Sequence, residues 1–332
     1  VKKIIKNGIL ALVLFSSFVY PQSKFSELNS MPGAFSRLGF GARGMAMGNA
    51  LSAVTTGDLV SYYNPANSVF QDGYSFGTSV SVLSLDRSLN FANFTKRFGE
   101  MVSGPDEKFR QAAGISVGVI TSGVSNIEQR DEEGAKYGEL STSENQFFLA
   151  VSNHFSRRLA LGVAFKIYYY KLQDYLTTTS LGVDFGIIYI INNDCTVSFV
   201  IADLISKYKW DSTNIYGSNG TTTEDKFPIL KKLGIAYKFF DSKLLAAAEF
   251  ESSNGGTSIF RFGAEYNLFE NLYLRAGLDR WVVNNSDIPA RPSFGFGYNY
   301  KLSSFAVGIN YAYILEPYSP WNAHIIGVNL NF

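Results

Sequence analysis

The chain has 332 residues, of which 46% are hydrophobic, 15% aromatic and only 17% charged, where an ordinary globular protein carries about 25% charged residues. That composition excludes disorder, and a formal charge of +1 excludes a strongly basic nucleic-acid binder. One cysteine (Cys195) and two histidines (His154 and His324) exclude an intrachain disulfide framework and leave no Cys- or His-rich set for a metal or catalytic centre.

Residues 1–22 have the layout of a secretory signal peptide. Lys2, Lys3 and Lys6 precede the apolar run Ile9 to Val19, and Tyr20-Pro21-Gln22-Ser23 follows. The apolar run is shorter than the ~20 residues a spanning helix needs, and no later stretch supplies 18 continuous apolar residues. Cleavage is expected near Gln22, so the mature chain leaves the cytoplasm.

Residues 23–72 do not alternate as a membrane strand does. Glycines at 33, 39, 41, 44 and 48 punctuate the stretch, with a helix candidate from Arg43 to Leu51. Thr56-Gly57-Asp58 is a turn, and Asn64-Pro65 in Tyr62-Tyr63-Asn64-Pro65-Ala66 is a turn initiator. The glycines do not follow a strand and no Walker lysine is present, which rejects nucleotide binding.

Residues 73–332 are a succession of period-two segments. In Arg158 to Tyr170, Leu159, Leu161, Val163, Phe165, Ile167 and Tyr169 share one face, opposite Ala160, Gly162, Ala164, Lys166 and Tyr168. About fourteen such segments can be counted, near the ~9–11 residues of a tilted membrane strand. They begin near Tyr74, Ser88, Gln111, Glu144, Arg158, Ser180, Asp194, Pro228, Lys243, Ser258, Asn271, Arg291, Ser304 and Trp321. Tight turns alternate with longer links at 125–143, 171–179, 207–227 and 285–290. That asymmetry fits an outer-membrane barrel, all-β, antiparallel and up-and-down, with its long links outside. The connection at 99–110 departs from it.

Mid-strand charges fall on the inward face: Lys166, Asp184, Lys238, Glu249, Glu251, Arg261, Glu265, Arg275, Asp279 and Lys301. A turn symmetric about Glu270 sets Glu265 opposite Arg275 and Arg261 opposite Asp279. A turn centred at Gly255 sets Glu249 opposite Arg261, and a loop centred at Tyr175 sets Lys166 opposite Asp184. The expectation is a self-neutralising ladder, with independently solvated charges as the alternative. Inward glycines such as Gly114, Gly162, Gly186, Gly263 and Gly277 make room for a plug or relieve curvature, and the sequence does not separate these. Asp131, Glu132 and Glu133 form an acidic external loop without EF-hand spacing, read as solvated. Tyr168, Tyr169, Tyr170, Tyr208, Trp210 and Trp281 are read mainly as an aromatic girdle.

Gly41-Ala42-Arg43-Gly44-Met45-Ala46-Met47-Gly48, followed by Tyr63-Asn64-Pro65-Ala66, resembles the N-terminal signature of PorV/PorQ-type outer-membrane proteins, which share the FadL-like fold. The order of Arg130-Asp131-Glu132-Glu133-Gly134, Asp203-Leu204-Ile205-Ser206, Gly263-Ala264-Glu265-Tyr266 and Leu274-Arg275-Ala276-Gly277-Leu278 extends the likeness along the mature chain. Asn49-Ala50 departs from the pattern. The resemblance implies a fourteen-strand barrel with an N-terminal hatch, located in the bacterial outer membrane. It implies no enzymatic activity and no cofactor. The partners it implies are membrane lipid and subunits or cargo of type IX secretion. The alternative is a FadL-like passive path for hydrophobic molecules, opening laterally beside Asn64-Pro65-Ala66. Phe148, Ile188, Ile190, Leu245 and Ile314 would line that path or pack the hatch.

Overall fold

The computed structural model describes residues 31–99, 111–173, 176–283, 285 and 287–332. The expected signal segment, most of the 99–110 connection and the turn at Tyr175 lie outside these. Sixteen strands occur in chain order among the described residues. They are β1 (Tyr74–Val82), β2 (Arg87–Phe98), β3 (Ala113–Arg130), β4 (Lys136–Ser156), β5 (Leu159–Gln173), β6 (Leu176–Ile190), β7 (Cys195–Ala202) and β8 (Lys207–Asp211). Then come β9 (Thr222–Lys226), β10 (Leu230–Phe239), β11 (Leu244–Ser253), β12 (Ser258–Phe269), β13 (Leu272–Val282), β14 (Arg291–Lys301), β15 (Ala306–Ile314) and β16 (Ala323–Asn331).

Fourteen of them close an antiparallel barrel in sequence order, with β1 joined to β16 from Ser75↔Asn331 to Val82↔His324. β8 and β9 stand apart as a two-stranded ribbon, so β7 pairs directly with β10. Closure satisfies the backbone groups that an edge strand would leave bare, which is the condition for a sheet to sit in lipid. The outer face follows the sequence pattern: Phe165, Ile167 and Tyr169 on β5 and Phe294, Phe296, Tyr298 and Tyr300 on β14 are all exposed.

Three of the expected long links are differently built. Most of 125–143 is strand: β3 runs to Arg130 and β4 starts at Lys136, so the link is a hairpin standing beyond the rim. The strands β5 and β6 reach Gln173 and Leu176, well into the expected 171–179 loop. The β8–β9 ribbon occupies most of 207–227.

Residues 31–72 fill the barrel. The helix expected from Arg43 to Leu51 is shorter and earlier: α1 spans Gly41–Ala46. It ends there because Gly48 and Asn49 both adopt left-handed backbone, with φ of 58° and 62°. A 3-10 turn covers Pro65–Phe70, started by Asn64, whose side chain accepts from the Ala66 N–H at 2.9 Å. The inward glycines of the wall are where this segment touches it. A Cβ on Gly162 would overlap the Pro65–Ala66 backbone, one on Gly186 the Asn64 side chain, and one on Gly277 the backbone at Met47 and Gly48. The glycines therefore seat the plug.

Candidate functional site

The interior of the barrel is a hatch held by three charge centres. In the first, Arg43 leaves α1 and places Nε 2.9 Å and Nη2 2.7 Å from the two oxygens of Glu265 on β12. Its Nη1 donates to the carbonyls of Thr56 at 2.7 Å and Asp58 at 3.1 Å. Glu265 also accepts from Arg275 Nε at 2.7 Å, in register across β12–β13. The chain continues through Arg275 to Asn310, from Asn310 to Asn329, and from Asn329 and Asn331 to the Asp58 carboxylate of the hatch. Burial by itself disfavours the Arg43 charge, but the adjoining Glu265 carboxylate more than reverses this and raises its pKa.

The second centre surrounds Arg261. Its guanidinium contacts Asp279 at 2.8 Å, Glu249 at 3.1 Å and Glu251 at 3.0 Å. Glu249 stands opposite Arg261 in register. Asp279 does not: a bulge shifts the pairing between Phe260 and Phe262, and the contact is made across it. Lys232 on β10 approaches Glu251 at 3.4 Å. It is absent from the sequence-derived inward set, although the same alternation that places Gly234 inward also places Lys232 there. Asn49, the departure from the resembling pattern, donates to Asp279 at 3.2 Å and so ties the hatch to this centre.

The third centre joins Lys166 to Asp184 at 2.5 Å and to Asp203 at 3.3 Å. The expected register is corrected here. Lys166 pairs with Gly182, and Asp184 faces Ala164, because the β5–β6 hairpin shifts between Lys171 and Gln173. The ion pair is therefore diagonal. Asp203 enters from the turn after β7 with a left-handed φ of 61°, and also accepts from the Tyr168 hydroxyl at 2.5 Å. Two other expected inward charges lie at strand ends: Lys238 is half-buried on the inward face and lines a cavity with Glu265 and Arg275, whereas Lys301 is exposed.

The remaining expected residues are distributed along the hatch and loops. Gly41, Gly44 and Met45 belong to α1, with Gly44 pressed against the Tyr63 hydroxyl so closely that a Cβ would overlap it. The buried Tyr63 hydroxyl accepts from the Phe40 N–H at 3.0 Å and lies 2.8 Å from Asn49 Oδ1. Burial raises its pKa well above the usual tyrosine value, so the hydroxyl stays neutral. Asn64 donates to the carbonyls of Ser52 at 2.9 Å and Ile187 at 3.2 Å. Asp131 stabilises the β3–β4 turn by accepting from Ala135 N–H at 2.7 Å, with Glu132 and Glu133 exposed at the tip. No cluster of three or more metal-ligating side chains occurs among the described residues.

The aromatic reading divides. Tyr169 and Trp281 face outward, but Tyr168 and Tyr208 are almost wholly buried inside, against Phe35 of the hatch and Phe227. Phe148 packs on Phe40, and Ile188 clusters with Ala66, Val69 and Phe70. Ile190 packs against that same cluster, and Leu245 and Ile314 join the main interior core. These apolar residues thus pack the hatch, and the β5–β6 register beside Asn64-Pro65-Ala66 is continuous from Leu159 to Lys171.

Cavities lie at both ends. One of ≈ 270 Å³ opens among the long loops, and one of ≈ 220 Å³ lies at the short-turn end beside Arg43 and Lys243. They share no lining residue, since the hatch separates them.

The overall fold is found among solved structures. A monoaromatic hydrocarbon channel, TodX in a deletion mutant, matches with TM-score 0.62 at 14% identity, covering 89% of this chain and 99% of that one. The chain has the FadL-like fold. The Ralstonia pickettii toluene transporter TbuX matches this FadL-like barrel with TM-score 0.60 at 13% identity, over 89% and 98% of the two chains. A Pseudomonas aeruginosa FadL homologue matches with TM-score 0.56 at 11% identity, over 89% and 98%. No protein-family model and no curated protein sequence matches.

Proposed function

We propose that the chain is a non-enzymatic outer-membrane barrel of PorV/PorQ type that assists type IX protein secretion or surface attachment by docking translocon or cargo proteins. The observation that carries this reading is the combination of a filled lumen with a raised hairpin. The hatch is fastened by the buried Arg43–Glu265 ion pair and by the Asn49–Asp279 hydrogen bond, so its release has a high energetic cost. Beyond the rim, β3 and β4 continue to pair from Ile127↔Leu140 to Arg130↔Lys136. From Val124 to Arg130 the hairpin rises about 20 Å. It presents exposed Tyr137 and the acidic tip to the outside, where a partner protein is met. Residues 1–22 act as the export signal in this reading, with 23–72 as hatch and 73–332 as barrel.

A second reading is passive uptake of hydrophobic molecules, which the fold likeness to a monoaromatic hydrocarbon channel and a toluene transporter supports. Purification from native outer membranes in mild detergent, with mass spectrometry of what co-purifies, separates the two. The docking role is expected to retain secreted proteins or large secretion subunits above a control barrel, and to lose them when 126–141 is replaced by a short turn. Stoichiometric hydrophobic molecules without proteins would reverse the choice.

A further inference from the structure

The ≈ 220 Å³ cavity at the short-turn end holds more donors than its carboxylates can use. Glu265 and Asp58 are the acidic side chains lining it, and both are already engaged. Glu265 gives its two oxygens to Arg43 and Arg275, and Asp58 accepts from Asn329 and Asn331. Set against Arg43 and Arg275, these two carboxylates leave the wall neutral. Lys238, half-buried on the inward face of β10, then adds a positive charge that no carboxylate among the described residues pairs with. Drawing an ammonium away from water without an anion beside it is unfavourable. Lys243 stands exposed at the mouth, where water compensates it, and is left out of this balance.

Two neighbouring groups leave hydrogen-bonding positions open on the same wall. Arg275 is 6% exposed, with Nε occupied by Glu265 and Nη1 by Asn310. Its Nη2 makes no hydrogen bond among the described residues. Gly297 on β14 makes room for this guanidinium, since a Cβ there would stand 2.6 Å from both Nη atoms. Asn267 is the next inward position after Glu265 on β12. Its Oδ1 is buried without a partner, and nothing engages its Nδ2. Buried polar groups are ordinarily satisfied, so an open guanidinium edge and an open amide beside an unpaired ammonium call for a further partner.

We propose that this cavity binds a small phosphate-bearing anion at the end of the barrel opposite the long loops. Lys238 supplies a point charge, Arg275 one guanidinium edge and Asn267 an amide N–H. Donors converging from three strands suit an anion with several oxygens. Leu245 is the one aliphatic side chain in the lining among the described residues, so the wall selects a hydrophilic ligand over one with an apolar body. The site does not depend on the docking role, because the raised hairpin stands at the other end. The phosphate has two possible sources, the free inorganic ion or a monoester of a small polar molecule.

The test is calorimetric titration of the full chain in a non-ionic maltoside at about 0.15 M sodium chloride, which screens loose surface attraction. The probes are inorganic phosphate, glycerol 3-phosphate, glycerol and acetate. Saturable binding of a phosphate probe is expected, with glycerol silent and acetate at least about ten-fold weaker. Lys238→Gln should weaken phosphate about ten-fold and leave the heat-modifiable gel shift intact. Should that variant not fold, the isosteric Asn267→Asp supplies a carboxylate from within and should abolish phosphate binding. Arg87→Gln, at the opposite end, should bind as wild type. Tighter binding of glycerol 3-phosphate than of inorganic phosphate assigns the site to a monoester; equal or weaker binding assigns it to the free ion. The proposal is overturned if neither phosphate binds saturably, if acetate binds as well as phosphate, or if Lys238→Gln and Asn267→Asp bind as wild type.

Discussion

Arg43 shows how a single hatch residue can hold the plug, because all three nitrogens of its guanidinium are hydrogen-bonded inside the barrel. Arg43→Ala leaves Glu265 with Arg275 and frees the turn at Thr56 to Asp58. Removing one partner of a buried pair costs about 3–5 kcal/mol. The expected outcome is a hatch that opens at lower denaturant while the barrel persists. Chymotryptic cleavage at Tyr62 and Tyr63 across a urea series would read this, and an unchanged midpoint would remove Arg43 from the role. The same assay distinguishes the two faces of β13. Gly277→Val drives a branched side chain into the backbone at Gly48 and should destabilise the hatch by about 1–3 kcal/mol. Ala276→Val, one residue away on the exposed outer face, should stay within about 0.5 kcal/mol of wild type. At this scale the sequence was most legible where a hairpin register is regular. Glu265 and Arg275 could be paired from their distances to Glu270, and the structure pairs them at 2.7 Å. Arg43 could be recognised only by resemblance, because its partner lies more than two hundred residues away. Lys166 and Asp184 meet despite a register that counting from a loop centre placed wrongly.

Among the elements, the ribbon β8–β9 gives a pH prediction. Glu224 accepts from Lys207 at 2.8 Å, and this hydrogen bond, with the Lys207 charge, holds its carboxyl below the usual range. Asp211 is likewise lowered, by the hydroxyl and N–H of Thr213. A depressed carboxylate pKa stabilises the folded ribbon above the ordinary carboxylate pKa. That contribution is lost as pH falls through the lowered values, when the folded carboxylates protonate. The environment of Trp210, whose indole N–H donates to Asp225 at 2.9 Å, should therefore be retained at mildly acidic pH and loosen only below the ordinary carboxylate range. Fluorescence of a variant retaining Trp210 alone measures this, and a transition near neutrality would contradict it. Replacing 126–141 with a short turn should leave the heat-modifiable shift unchanged, since the barrel strands pair fully below Val124 and Ser143. Sequence alternation located the barrel strands closely but stopped short at β3–β4 and β8–β9. Outside lipid both faces of a ribbon meet solvent, so the apolar period that marks a strand is lost.

For the whole molecule, an apolar exterior around a charged interior sets the stability and the environment together. Ile309→Lys, on the exposed outer face of β15, should cost about 2–4 kcal/mol in lipid if the site lies near the bilayer midplane. Equilibrium unfolding in phospholipid vesicles tests it, and a neutral result would place that face elsewhere. The barrel class, strand count and inward sign of most charges follow from the sequence alone. A membrane strand must alternate between two solvents, so each residue reports its own side. Only the tertiary structure decided where the plug sits, which carboxylate Arg43 meets, and how Asp279 reaches Arg261 across the β12–β13 bulge. Those depend on contacts between residues far apart in the chain, and on one irregular register that period-two counting cannot represent.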